Sequence, residues 1–196
     1  MELLEFYFKL GFNHVLDFNA LDHILFFVLL ALPFALKQWR NLLVLVTLFT
    51  IGHTVSLLFA YLGWINQFRG WIELLISLSI VLLAAKNIFT DRKEKITPFK
   101  KKFYWMVTLF FGLVHGLGFG GYYRQITPQG EVFSSLLGFA LGIEVVQILV
   151  VGAVILLNYL IIQVFRVSEF FWVLLSSALI LVAASQMLIR SILGLN

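Results

Sequence analysis

Seven ionisable side chains, His14, Asp22, His23, His53, Glu73, His115 and Glu144, fall inside or at the edges of apolar stretches long enough to cross a bilayer. A charged side chain in hydrocarbon costs at least ~2.5 kcal/mol, so a membrane chain that carries several pairs them, hydrates them or wraps them round an ion. Imidazole is a ligand for Ni²⁺, Co²⁺, Zn²⁺, Cu²⁺ and Fe²⁺, and carboxylates neutralise charge. The chain has no cysteine and three methionines, which excludes thiolate ligands and argues against Cu⁺. Chelation of a divalent transition metal is the chemistry these residues point to. Gln147 one turn after Glu144, Thr50 and Ser56 on either side of His53, and Ser77 one turn after Glu73 can assist as secondary ligands or by orienting primary ones.

The elements that must carry these groups are set by composition. Hydrophobic residues make up 61% of the 196 and charged residues 12%, with a mean hydropathy of +0.99, which is the signature of an integral membrane protein. Uncharged or nearly uncharged runs occupy residues 20–39, 41–64, 71–89, 104–123, 133–165 and 170–189. Each approaches or exceeds the ~20 residues an α-helix needs to span the hydrocarbon. The expected fold is an all-α membrane protein: one six-helix domain over residues 20–196, preceded by an interfacial N-terminal segment, residues 1–19. That segment has no basic start and no small-residue cleavage site, and its apolar stretch from Leu3 to Phe12 is punctuated by Glu5 and Lys9. The first run spans only if its helix starts near Ala20. The 33-residue fifth run must tilt, kink near Gly152 or extend beyond the bilayer.

Ten of the fourteen Lys and Arg residues, Lys37, Arg40, Lys86, Arg92, Lys93, Lys95, Lys100, Lys101, Lys102 and Arg166, follow runs one, three and five. By the positive-inside bias both termini then face away from the cytoplasm. The net charge of +4 reflects this topology and membrane lipid, not nucleic acid. A bacterial inner membrane is the expected location. His53 lies eleven residues below Trp64 and Glu144 eleven below Phe133, roughly mid-bilayer at about 1.5 Å per residue. His115, Glu73, Asp22 and His23 are shallower, so the polar groups outline a funnel open to the outside. The inner half offers only Asn87, Asn158, Ser176, Ser177 and Gln186, which implies an inner gate that is dry or built from backbone and water. Gly112, Gly116 and Gly120, and Gly138 with Gly142, recur every fourth residue and read as close-packing ridges.

The strings GFNHVLDFNALDHILF, LFTIGHTVSLL, IELLISLSIVLLA, FGLVHGLGF and LLGFALGIEVVQ occur in this order on successive helices. Over roughly residues 11 to 155 the chain resembles the HupE/UreJ family of small membrane proteins. The resemblance implies a nickel or cobalt permease linked to hydrogenase or urease maturation, with a cytoplasmic metal acceptor as a partner. It carries the family's polar positions onto His14, Asp22, His23, His53, Glu73, His115, Glu144 and Gln147. Ala140 stands where the helix-five motif is expected to hold asparagine.

Blander readings stand beside the metal reading. His14, in a surface segment, is at least as readily a helix-contact histidine. Asp22 can cap the first helix, and Glu73 can snorkel to water. The aromatic residues, 21 phenylalanines among them, are taken as lipid-facing or core packing. Three function classes follow: a permease for a divalent cation such as Ni²⁺ or Co²⁺; a membrane-embedded zinc hydrolase with Glu73 or Glu144 as base; and a sensor or chaperone-like binder that does not transport. Neither the ion nor the oligomeric state is fixed by the sequence.

Overall fold

In hydrocarbon each backbone N–H and C=O must be satisfied within its own segment, which leaves helices as the solution for a chain this apolar. A computed structural model describes residues 2–17, 21–64, 69–90 and 98–194, and among them every regular element is helical. The helices are α1 (Glu2–Val15), α2 (Asp22–Ala31), α3 (Trp39–Tyr61), α4 (Arg69–Phe89), α5 (Pro98–Ile126), α6 (Val132–Tyr159) and α7 (Glu169–Leu193). A 3₁₀ turn at Leu36–Gln38 leads into α3, and a π-helical turn at Leu160–Val164 extends α6. Helices α3 to α7 are long and apolar enough to cross a membrane; α2 is apolar but short.

The expected first span divides at proline. Leu32 is still helical and donates to the Val28 carbonyl, but Pro33 has no N–H to continue the ladder; Ala35 is extended, and helix resumes at Leu36. At ten residues α2 reaches about 15 Å, half of the hydrocarbon thickness. The expected start at Ala20 and the boundary between residues 19 and 20 lie outside the described residues, as do Arg92, Lys93 and Lys95 of the basic cluster that runs to Lys102. The long fifth run is one helix from Val132 to Val164.

Glycine decides which helices touch. A β-carbon at Gly112 would fall on the Phe49 carbonyl, and one at Gly116 on the Ser56 hydroxyl and the His53 carbonyl, so α3 and α5 meet backbone to backbone. Gly138 and Gly142 do the same for α1, which lays the Leu4 and Phe8 carbonyls against them. The ridge therefore faces α1, while Glu144 on the same helix faces α3. Because Leu4 lies by Gly138 and Phe8 and Phe12 by Gly142, α1 runs in the same direction as α6. The Tyr7 hydroxyl ties α1 to the end of α5, donating to the Ile126 carbonyl at 2.9 Å with Thr127 Oγ1 at 3.2 Å.

The far end of α2 is held by two buried amides. Asn87 Nδ2 on α4 donates to the Leu29 carbonyl at 2.8 Å. Asn158 Nδ2 on α6 lies 3.4, 3.2 and 3.5 Å from the carbonyls of Ala31, Leu32 and Phe34, and Trp172 Nε1 on α7 donates to Asn158 Oδ1 at 2.9 Å. Leu29 and Ala31 lie in the last turn of α2 and Leu32 caps it, so the amides serve carbonyls at the end of the helix and just beyond it.

Candidate metal centre

Four imidazoles and one carboxylate converge where the end of α1 and the start of α2 meet α3 and α5. His14 is in the last turn of α1, His23 in the first turn of α2, His53 eight residues before the end of α3, and His115 eleven before the end of α5. The ring centroids of His23 lie 4.8 Å from His14, 4.4 Å from His115 and 6.0 Å from His53, and His14 is 5.8 Å from His53. Asp22 sits between two of these rings: Oδ1 is 3.1 Å from His23 Nδ1, and Oδ2 is 3.3 Å from His115 Nε2. Oδ1 also accepts the backbone N–H of the adjacent His23 at 2.8 Å, while the helix itself begins after Leu21 with no side-chain cap.

Two groups of ligand atoms have metal-binding spacing. His14, His23 and His53 form one, and Asp22, His23 and His115 the other, with the atoms of each within 4.8 Å of one another. His23, His53 and His115 are buried, at 2%, 0% and 3% exposure. His14 Nε2, His23 Nε2 and both ring nitrogens of His53 make no hydrogen bond within the protein. A buried nitrogen normally finds a partner, and unpartnered ring nitrogens this close together are spaced as ligands to a shared cation. The donor set, neutral imidazole plus one carboxylate, suits a divalent transition metal.

The remaining candidates make other contacts. Glu144 is half-buried and accepts the Thr47 hydroxyl at 2.7 Å across the seam between α3 and α6. Gln147, fully buried, accepts the Thr50 hydroxyl at 3.1 Å one turn inward of His53. Glu73 is half-buried on the outer turn of α4, where its carbonyl takes the Ser77 hydroxyl at 2.9 Å. Neither glutamate is in either ligand group. Ser56 donates to the His53 carbonyl at 2.9 Å, leaving the ring to others.

Sequence reasoning overlooked the layer beneath the histidines. Phe26 and Phe27 follow His23 by three and four residues, Phe49 precedes His53 by four, and Phe111 precedes His115 by four. The signal was legible: α2 runs opposite to α3 and α5, so all these offsets point the same way.

No curated protein and no solved structure matches this chain. The model of the family described as HupE / UreJ protein matches residues 1–191, well beyond the stretch carrying the motifs, and so the chain belongs to the HupE/UreJ family.

Proposed function

We propose that the protein moves a divalent transition metal of the Ni²⁺ and Co²⁺ class across the membrane, through the centre formed by His14, Asp22, His23, His53 and His115. Membership of a family associated with nickel and cobalt transport supports this reading. The observation that carries it is the convergence of imidazoles from α1, α2, α3 and α5 with buried ring nitrogens that have no other partner.

In this reading α1 and α2 together make the first of six crossings. Their combined length of about 36 Å exceeds the hydrocarbon thickness, and they meet at the metal centre. Discontinuous helices whose ends meet at a mid-membrane ion site are a recurrent transporter device. Both termini then lie on the outer face, with Lys37, Arg40 and Arg166 on the cytoplasmic one. The ion enters from outside, exchanges water for imidazole and the Asp22 carboxylate, and leaves inward.

A hydrolase would require a carboxylate base within reach of the metal-bound water, and Glu144 is engaged by the Thr47 hydroxyl instead. Proteoliposomes test the proposal: wild-type protein accumulates Ni²⁺ or Co²⁺, whereas His53→Ala and His115→Ala do not. Stoichiometric binding without accumulation would sink the transport reading in favour of a sensor.

A further inference from the structure

A layer of phenylalanine closes the inner side of the histidine layer. Phe26 of α2 and Phe111 of α5 stack with centroids 3.6 Å apart and an interplanar angle of 12°. Phe49 of α3 fills the third side, 5.9 Å from Phe26, 6.0 Å from Phe111 and 4.9 Å from Phe27. All four rings are fully buried. The plate touches the centre directly, since Phe111 lies 4.2 Å from His115 and Phe49 lies 5.8 Å from both His23 and His53. On the outer side Phe119 and Phe139 stack at 5.1 Å and cover His14 and His53. The centre is thus sandwiched between two aromatic layers.

Beyond the inner plate the protein opens again. A cavity of about 440 Å³ lies at the end of α2, lined in part by Leu32, Phe34, Lys37, Asn158, Gln163 and Glu169. Leu32 is five residues past Phe27, about 8 Å further along the chain. A desolvated cation cannot cross a plate of stacked rings, so the plate must part before an ion can reach this cavity.

The element best placed to part it is α2. It is the shortest of the helices, it carries both Asp22 with His23 and Phe26 with Phe27, and its inner end is held by the Asn87 and Asn158 amides beside the Pro33 break. We propose that Phe26, Phe27, Phe49 and Phe111 are the inner gate, that the cavity at Leu32 and Asn158 is the chamber receiving the released divalent cation, and that displacement of α2 couples release from Asp22 and His23 to opening of the gate. The described structure is closed at the inner plate, and Phe119 and Phe139 cover the centre on the outer side. This inference builds on the transport reading, but the barrier can be tested without transport.

The native chain has no cysteine, so single thiols report cleanly. The full-length variant His115→Cys places a thiol on the site side of the plate, and Gln163→Cys places one in the inner cavity. Both are exposed to a membrane-impermeant maleimide at the face bearing Lys37. With the plate intact, the thiol of Gln163→Cys reacts and that of His115→Cys is protected. Adding Phe26→Ala and Phe111→Ala accelerates labelling of His115→Cys by about tenfold or more, as expected when a closed local barrier becomes an open one, and leaves Gln163→Cys unchanged. Should the alanine pair fail to purify as a monodisperse protein, Phe26→Leu with Phe111→Leu preserves volume while abolishing the ring stack, with the same expected direction. Labelling of His115→Cys at the Gln163→Cys rate with the plate intact, or protection that survives removal of the stack, overturns the gate. Wild-type protein that binds Ni²⁺ but never accumulates it overturns transport alone.

Discussion

Asp22 illustrates how one side chain serves the centre in two ways. Its two oxygens face two different imidazoles, and one of them also accepts the His23 backbone N–H. Carboxylates that orient ligating histidines are typically worth 10- to 100-fold in metal affinity, about 1.4 to 2.7 kcal/mol. Asp22→Asn is therefore expected to weaken Ni²⁺ binding by that factor in a calorimetric titration, while Glu144→Gln, whose carboxylate is engaged by Thr47, leaves stoichiometry and affinity nearly unchanged. Equal losses from the two substitutions would show that Glu144 belongs to the ligand set. Acidification has a definite sign. Metal coordination needs the imidazole lone pair, so protons compete with the cation and apparent affinity falls as the pH drops from about 8 to about 5. An affinity that is flat or rises over that interval would exclude imidazole as the principal ligand.

Helix contacts fix where those side chains can go. Because a β-carbon at Gly116 would strike the His53 carbonyl and the Ser56 hydroxyl, Gly116→Val must push α5 from α3 and separate His115 from His53. A destabilisation of about 1 to 3 kcal/mol is expected from such overpacking, read as a lower melting temperature in detergent, together with loss of Ni²⁺ binding. Asn158→Leu acts differently. It leaves the carbonyls at the end of α2 and the Trp172 N–H without the amide, at a cost of about 1 to 3 kcal/mol for buried unsatisfied groups. The melting temperature drops, but the four histidines remain in place and binding survives. If Gly116→Val bound the ion normally, the close approach of α3 and α5 would not be what assembles the site.

At the scale of the whole molecule the pairing of α1 with α6 matters most. An N-terminal helix lying on the surface would leave His14 remote from the other histidines, whereas α1 running beside α6 delivers it to within 4.8 Å of His23. In the proposed reading, α1 and α2 form one interrupted crossing, which makes six crossings with both termini on the outer face. Reporter domains fused before Met1 and after Asn196 are expected to be reached by an impermeant protease from the outside only. Termini on opposite faces would require α1 and α2 to enter and leave on the same side, and the proposed route through the plate would have to be redrawn.

The sequence by itself determined that the chain is a membrane protein, which runs are helical, and that imidazole and carboxylate carry the chemistry, since hydropathy and ligand type are properties of residues. It also exposed the glycine ridges, whose physical requirement for close backbone approach is local. Only the tertiary structure brought His14 to the other histidines and set Glu144 against Thr47 and Gln147 against Thr50, because a residue's depth along its helix says nothing about which neighbour its face meets. The division of the first run was written in Pro33, but the meeting of the end of α1 with the start of α2 at the histidines was not, because it depends on α1 packing against α6. The phenylalanine layer likewise hid in plain composition: apolar rings acquire a barrier role only when three helices of opposed direction stack them on one level beneath the histidines.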